Sequence, residues 1–148
     1  MNDSLIDNWN EVVGHDDEVY VLGDLIFGNP AVAIMLLNRL NGKIFFVRGN
    51  HDKTSLSNKV KGRFEWIKDY FELRVRVDGK EHQISMFHYP IAEWNKKHHG
   101  AVHFHGHSHG NCKPIGRRMD VGVDSNNYTP VLIEDAVREL LKIEIYTK

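Results

Sequence analysis

The chain has a single cysteine, Cys112, so it can form neither an internal disulfide nor a multi-cysteine zinc site, which fits a reducing compartment or indifference to redox. It also lacks an excess of charge of either sign. Nineteen basic and twenty acidic side chains leave a net charge of −1, and no global field marks the chain for DNA or an anionic membrane. No apolar run approaches the roughly eighteen residues of a membrane-spanning helix, and the start is not a basic-then-apolar signal sequence. A cytoplasmic protein with no membrane partner is the expectation. At 41% hydrophobic and 26% charged residues, the composition excludes disordered, collagen-like and coiled-coil classes. The length of 148 residues suits one domain, 1–148, with roughly 68–70% of its unfolded surface buried on folding. What the chain has in excess is histidine: ten residues, eight of them between His82 and His109.

The pattern predicts a helix at once, with Asp3 or Ser4 as cap and Leu5, Ile6, Trp9, Val12 and Val13 at helical spacing. Glu18 to Leu22 is a short β-branched run stopped by Gly23-Asp24, a buried strand. Pro30 suits the first turn of a second helix through Leu40, in which Val32, Met35, Leu36 and Leu40 form the core-facing stripe, and Asn41-Gly42 ends it. Lys43 to Arg48 is the next strand. Residues 53–70 read as a helix or an irregular crossover. Glu72 to Val77 and Glu81 to Phe87 flank Asp78-Gly79, a hairpin signal. A loop at Tyr89-Pro90, strands at Ala101 to His105 and Met119 to Val123, and a helix from Val131 to Leu141 complete the chain. Parallel units followed by antiparallel strands predict two sheets packed face to face with helices outside.

Four motifs fall where a strand yields to a loop: Gly23-Asp24, Gly49-Asn50-His51-Asp52, His88 within Phe87-His88-Tyr89-Pro90, and Gly106-His107-Ser108-His109. In open α/β sheets ligands bind outside the carboxyl ends of strands, so these side chains converge despite their separation in sequence. Carboxylate, amide oxygen and imidazoles meeting at one point suit Mn, Fe, Ni, Co or Zn better than Ca or Mg. Glycine before the ligands permits a sharp turn and close approach of a substrate.

Together and in this order the motifs resemble the signature of the calcineurin-like metallophosphoesterases. The run Met119-Asp120-Val121-Gly122-Val123-Asp124, followed by Tyr128-Thr129-Pro130, is similar to the small bacterial and phage branch. The resemblance implies a four-layer α/β/β/α sandwich of two mixed sheets and a two-metal site, Mn being the first expectation, that hydrolyses phosphomonoesters or phosphodiesters. By motif, Asp24 would bridge the metals, Asn50, His88 and His107 would complete one shell, and His109 would bind the other ion. His51 would face the substrate and assist the leaving oxygen, while a metal-bound hydroxide attacks in line. The substrate would be a phosphoester, a nucleotide or nucleic acid among the options.

The family's opening motif, Asp-x-His at the end of the first strand, is missing. His15-Asp16-Asp17 is its nearest imitation, but it precedes a five-residue strand and so lies roughly 16 Å from the metals. The chain begins where the helix after that strand would begin, which implies that the strand and its two ligands are cut off together and that the second metal keeps only Asp24 and His109. Open sheet edges left by the loss would make a second copy of the chain an expected partner. The competing reading is a non-catalytic remnant holding one ion.

Other residues have plainer readings. His103 and His105 are expected in the core or orienting the ligands, His98 and His99 with Lys96 and Lys97 in a solvated loop, and His82 and His15 at the surface. Asp52 orients His51 or caps a helix before Thr54. Arg48 clamps a substrate phosphate or makes a structural ion pair. Lys53, Lys59, Lys61 and Arg63, interleaved with Phe64 and Trp66, read as a solvated face before a nucleic-acid stripe. Arg117 and Arg118 are within reach of phosphate, and Cys112 is inert.

Overall fold

Two blocks of β-branched and aromatic residues, each followed by a helix or a hairpin turn, build two sheets. The computed structural model describes residues 3–23, 30–49, 58–108, 113, 115–123, 126 and 129–145. The first sheet has the order β1 (Glu18–Leu22), β2 (Lys43–Val47), β3 (Phe64–Lys68) and is parallel throughout. The second has the order β4 (Tyr70–Val77), β5 (Lys80–Phe87), β6 (Val102–His105), β7 (Arg118–Asp120), with β4 antiparallel to β5 and the remaining pairs parallel. The chain is therefore α/β, its described residues forming two sheets of three and four strands. Only the second is mixed.

Alternation along the strands sorts their side chains into two cores. Val19, Val21, Ile44 and Phe46 point from the first sheet toward α1 (Asp3–Val12), α2 (Pro30–Asn38) and α3 (Asn58–Lys61), where Ile6, Trp9, Ala33, Leu37 and Val60 complete one cluster. The opposite parity, Tyr20, Leu22, Val47 and Trp66, faces Phe71, Leu73, Ile84, Met86, Val102 and Phe104 of the second sheet. Tyr20, Phe45, Trp66 and Phe71 form an aromatic cluster at this seam: Tyr20 and Phe45 stack within the first sheet, and Trp66 meets Phe71 of the second at a tilt, each pair with ring centroids 4.8 Å apart. At about 25 cal/mol per Å² of apolar surface removed from water, these two interiors supply the main drive to fold.

Helix α4 (Ile133–Leu141) inserts Ala136, Val137 and Leu140 into this second, inter-sheet cluster. It thus packs on the same face of the second sheet as the first sheet does. Among the described residues the opposite face carries Ser85, Phe87, His103 and His105, beneath the segment that holds Trp94 and a short 3-10 turn at Lys97–His99.

Several expectations shift. The stretch 53–70 contains strand β3, whose parallel pairing with β2 slips between Ile44 and Phe45. Of the expected stripe, Leu40 is buried and Leu36 packs against the core beside Ala33 and Leu37, while Val32 (53% exposed) and Met35 (68%) face solvent; a helix apolar on every side carries no periodicity that singles out one face. Val12 is also outward. Lys97 is buried rather than solvated: its Nζ donates to Ala92 O at 2.9 Å and pairs with Glu93 at 3.3 Å. Arg63 and Phe64 do not form an exposed stripe, since Phe64 is in the core and Arg63 donates to the carbonyls of Leu37, Leu40 and Gly42. His98, His99 and His15 are exposed, and His103 and His105 are buried, as expected. No described helix is long and apolar enough to cross a membrane.

Candidate metal centre

The carboxyl ends of β1, β2, β5 and β6 meet where the two sheets adjoin. His88, the residue after β5, is 1% exposed. Its Nδ1 faces Leu22 O at 2.7 Å; a carbonyl only accepts, so Nδ1 carries the proton and Nε2 keeps its lone pair. That lone pair is directed at His107 Nδ1, 3.2 Å away, with the rings nearly perpendicular at a centroid separation of 5.0 Å. His107 follows Gly106 at the end of β6, is exposed, and packs its ring 4.6 Å from that of Tyr89.

Two glycines let the strand ends come this close. A Cβ on Gly23, which has φ +89, would collide with His88 Nδ1 and lie 2.8 Å from Gly49 Cα. One on Gly106 would lie 2.9 Å from Leu22 O. The described backbone that immediately precedes Asp24 and Asn50, namely Gly23 and Gly49, is therefore beside the imidazole of His88.

Of the residues singled out from sequence, Arg48, His88 and His107 are described, whereas Asp24, Asn50, His51, Asp52, His109 and Cys112 lie outside the described residues. The two described histidines come together. Arg48 does not join them: Nε and Nη2 each reach an Asp69 carboxylate oxygen at 2.6 Å, the structural-pair alternative. This hydrogen-bonded pairing raises the Arg48 pKa and lowers that of Asp69, although the pair is exposed and contributes little stability. Arg117 and Arg118 bond to backbone carbonyls, those of Ile143, Gly100 and Leu141 for the first and Ile91 and Lys113 for the second.

The spacing of this hydrogen-bonded pair is compatible with two nitrogens sharing one ion. Ions that bind imidazole at about 2.0–2.1 Å place two such nitrogens about 2.8–3.4 Å apart for bond angles between octahedral and tetrahedral, and the His88–His107 separation is 3.2 Å. The Nδ1–H bond of His88 to a backbone carbonyl is the arrangement that fixes ring and tautomer in metal-binding histidines. Among the described residues no group of three or more His, Cys, Asp or Glu side chains converges; further donors would have to come from segments beside this pair.

Behind the pair lie His103 and His105. His103 Nδ1 donates to Ser85 O at 2.9 Å and Nε2 accepts from Ile91 N at 3.2 Å, so both nitrogens are engaged in the neutral form. Burial, with His105 and Arg118 as adjacent charges, pushes its pKa down to about 4. His105, whose Nδ1 bonds Gly106 O, is lowered for the same leading reason. Ser108 and Asp120 each stand in a motif named above, and neither carries a role legible from the sequence. Ser108 Oγ donates to Asp120 Oδ2 at 2.7 Å, which ties the loop after β6 to β7.

The chain belongs to the family of the uncharacterized protein MJ1445 of Methanocaldococcus jannaschii, to which it is 32% identical over 151 residues, spanning 96% of this chain and 76% of that protein. It is also similar to the Gene 66 protein of Mycobacterium phage D29, at 27% identity over 93% of this chain and 81% of the phage protein, and to that of phage L5, at 27% over 79% and 70%. The crystal structure of AQ665 from Aquifex aeolicus, a protein of unknown function, shares the fold with a TM-score of 0.59 and 24% identity, over 86% of this chain and 78% of that one. No family model matches the chain.

Proposed function

We propose that the protein is a metal-dependent phosphoester hydrolase of the calcineurin-like metallophosphoesterase type, a phosphomonoesterase or phosphodiesterase built on two packed sheets. The observation that carries this reading is the approach of His88 Nε2 to within 3.2 Å of His107 Nδ1 at the junction of four strand ends. Asp24, Asn50 and His109 each adjoin or nearly adjoin a described residue of that junction, and in this reading they supply the remaining oxygen and nitrogen ligands for Mn or a related divalent ion. When bound, such an ion activates water near neutral pH and offsets the charge that develops on the phosphoryl oxygens.

The chain's own residues perform the rest. His88, with its proton committed to Leu22 O, offers a fixed Nε2. Gly23 and Gly106 keep side chains out of the junction and leave room for ligands and substrate. In this reading His51, four residues after Val47 in sequence, is the acid that protonates the leaving oxygen, a role worth about 10²–10⁴-fold in rate, with Asp52 orienting it. With Arg48 paired to Asp69, this reading gives phosphate binding to the metal site itself. The test is turnover of bis(p-nitrophenyl) phosphate with added Mn. Metal-dependent hydrolysis that falls 10²–10⁴-fold in His51→Ala with metal content retained supports the proposal; loss of metal in that variant means that His51 is a ligand, and hydrolysis indifferent to metal means that the reading is wrong.

A further inference from the structure

We propose that Asp120 is a positioning residue for the metal centre, acting through Ser108 to hold the strained turn that sets His107 against His88. Its consequence for metal binding rests on the reading above; its consequence for the geometry of the two rings does not.

The end of β6 is held on both flanks, by Gly106 N donating to His88 O at 2.9 Å and Val121 N donating to His105 O at 2.9 Å. Immediately after this anchor the chain reverses: Ser108 N donates to Gly106 O at 2.7 Å, an i to i+2 bond, and the residue enclosed, His107, has φ +65. This is a γ-turn of the positive-φ kind, rare and strained for a residue with a Cβ. Strain of this sort persists only where the surroundings over-determine it. The residue that leaves the turn is the one Asp120 grips. Ser108 Oγ donates to Oδ2 at 2.7 Å, and the other carboxylate oxygen, Oδ1, accepts from Gly122 N at 2.8 Å. Asn126 in turn braces that loop, with Nδ2 donating to Asp120 O at 3.2 Å and Gly122 O at 2.8 Å. With the γ-turn closed on one side and the carboxylate clamp on the other, the His107 backbone has one conformation, and its ring meets His88 at 3.2 Å.

The experiment compares the full chain with Ser108→Ala, Ser108→Thr, Asp120→Asn and the Ser108→Ala/Asp120→Asn double variant. The first readout needs no metal: the cross-relaxation between the His88 and His107 ring protons in histidine-labelled protein. It should weaken severalfold in Ser108→Ala and Asp120→Asn, with the remaining backbone spectrum unchanged, and return in Ser108→Thr, which restores the hydroxyl. The second readout is Mn affinity, expected to fall about 10–100-fold in Ser108→Ala and in Asp120→Asn, the usual cost of losing an orienting partner, to be kept in Ser108→Thr, and to fall no further in the double variant because both changes break one link. Unchanged ring contact in Ser108→Ala overturns the inference, as do additive losses in the double variant. If Asp120→Asn does not fold, the Ser108 pair decides. Ring contact that responds as described in a chain that binds no metal supports the clamp and refutes the metal centre.

Discussion

His103 couples the architecture behind the candidate centre to pH. Buried, with Nδ1 donating and Nε2 accepting, it is held neutral with a pKa of about 4, below the unfolded value near 6.5. Between those values the unfolded chain binds the extra proton, so stability rises with pH there and is lost as pH falls from 6.5 toward 4. The contribution is at most about 3 kcal/mol at 1.36 kcal/mol per unit. Denaturant unfolding at pH 7.5 and pH 4.5 should show a smaller acid loss in His103→Gln than in the natural chain; an identical loss would remove His103 from the acid transition. Gly23 has a different sensitivity. Alanine there meets a left-handed φ and a collision with His88, so Gly23→Ala should cost about 2 kcal/mol or more in urea, whereas Gly62→Ala, where nothing approaches, should cost far less. At this scale the sequence was informative where a residue type has a local meaning: the glycines at strand ends and His88 and His107 beyond them. Ser108 and Asp120 were not legible as partners, because β6–β7 register, not sequence proximity, brings them together.

Among elements, the Asp78-Gly79 hairpin shows how far local chemistry reaches. Both residues have positive φ, +52 and +82, as the two-residue turn demands, and the strands pair from Tyr70↔Phe87 to Val77↔Lys80. Strand β3 was hidden because five residues with Glu65 and Lys68 exposed carry little alternation; its partner in β2 is what makes it a strand. Along helix α2 and just past its end, Leu36 and Leu40 pack on the core as the pattern suggests, whereas Val32 and Met35 face solvent, since nearly every position is apolar. Its C-terminal end depends on Arg63, which donates to the carbonyls of Leu37 and Leu40 and to Gly42 O just beyond them, the first and last at 3.3 and 3.2 Å and Leu40 at 2.8 Å. Charged donors at partly buried helix carbonyls contribute about 1–3 kcal/mol. Arg63→Met should therefore lower the unfolding free energy by that amount, read as a lower urea midpoint with an unchanged slope, while Lys61→Met, an exposed neighbour, should leave the midpoint in place.

For the whole molecule, the seam between the sheets does two things at once. Tyr20, Leu22, Val47 and Trp66 bury apolar surface against the second sheet, and the same approach brings Leu22 O to His88 and Gly106. The sheets cannot dock without assembling the junction. Sequence patterning foresaw two packed sheets and their convergent carboxyl ends. It foresaw the parallel pairing of β1 with β2 but not that β3 continues that sheet in parallel or that α4 packs into the seam, because strand order and the face a helix covers are settled by long-range pairing. The central claim is that this junction holds a divalent ion on His88 and His107. It is tested most directly by titrating Mn into the natural chain, His88→Ala, His107→Ala and Asp17→Ala by calorimetry. The account predicts binding to the natural chain and to Asp17→Ala alike, with at least about a 10–100-fold loss in each histidine variant. Equal affinity in all four chains would contradict it.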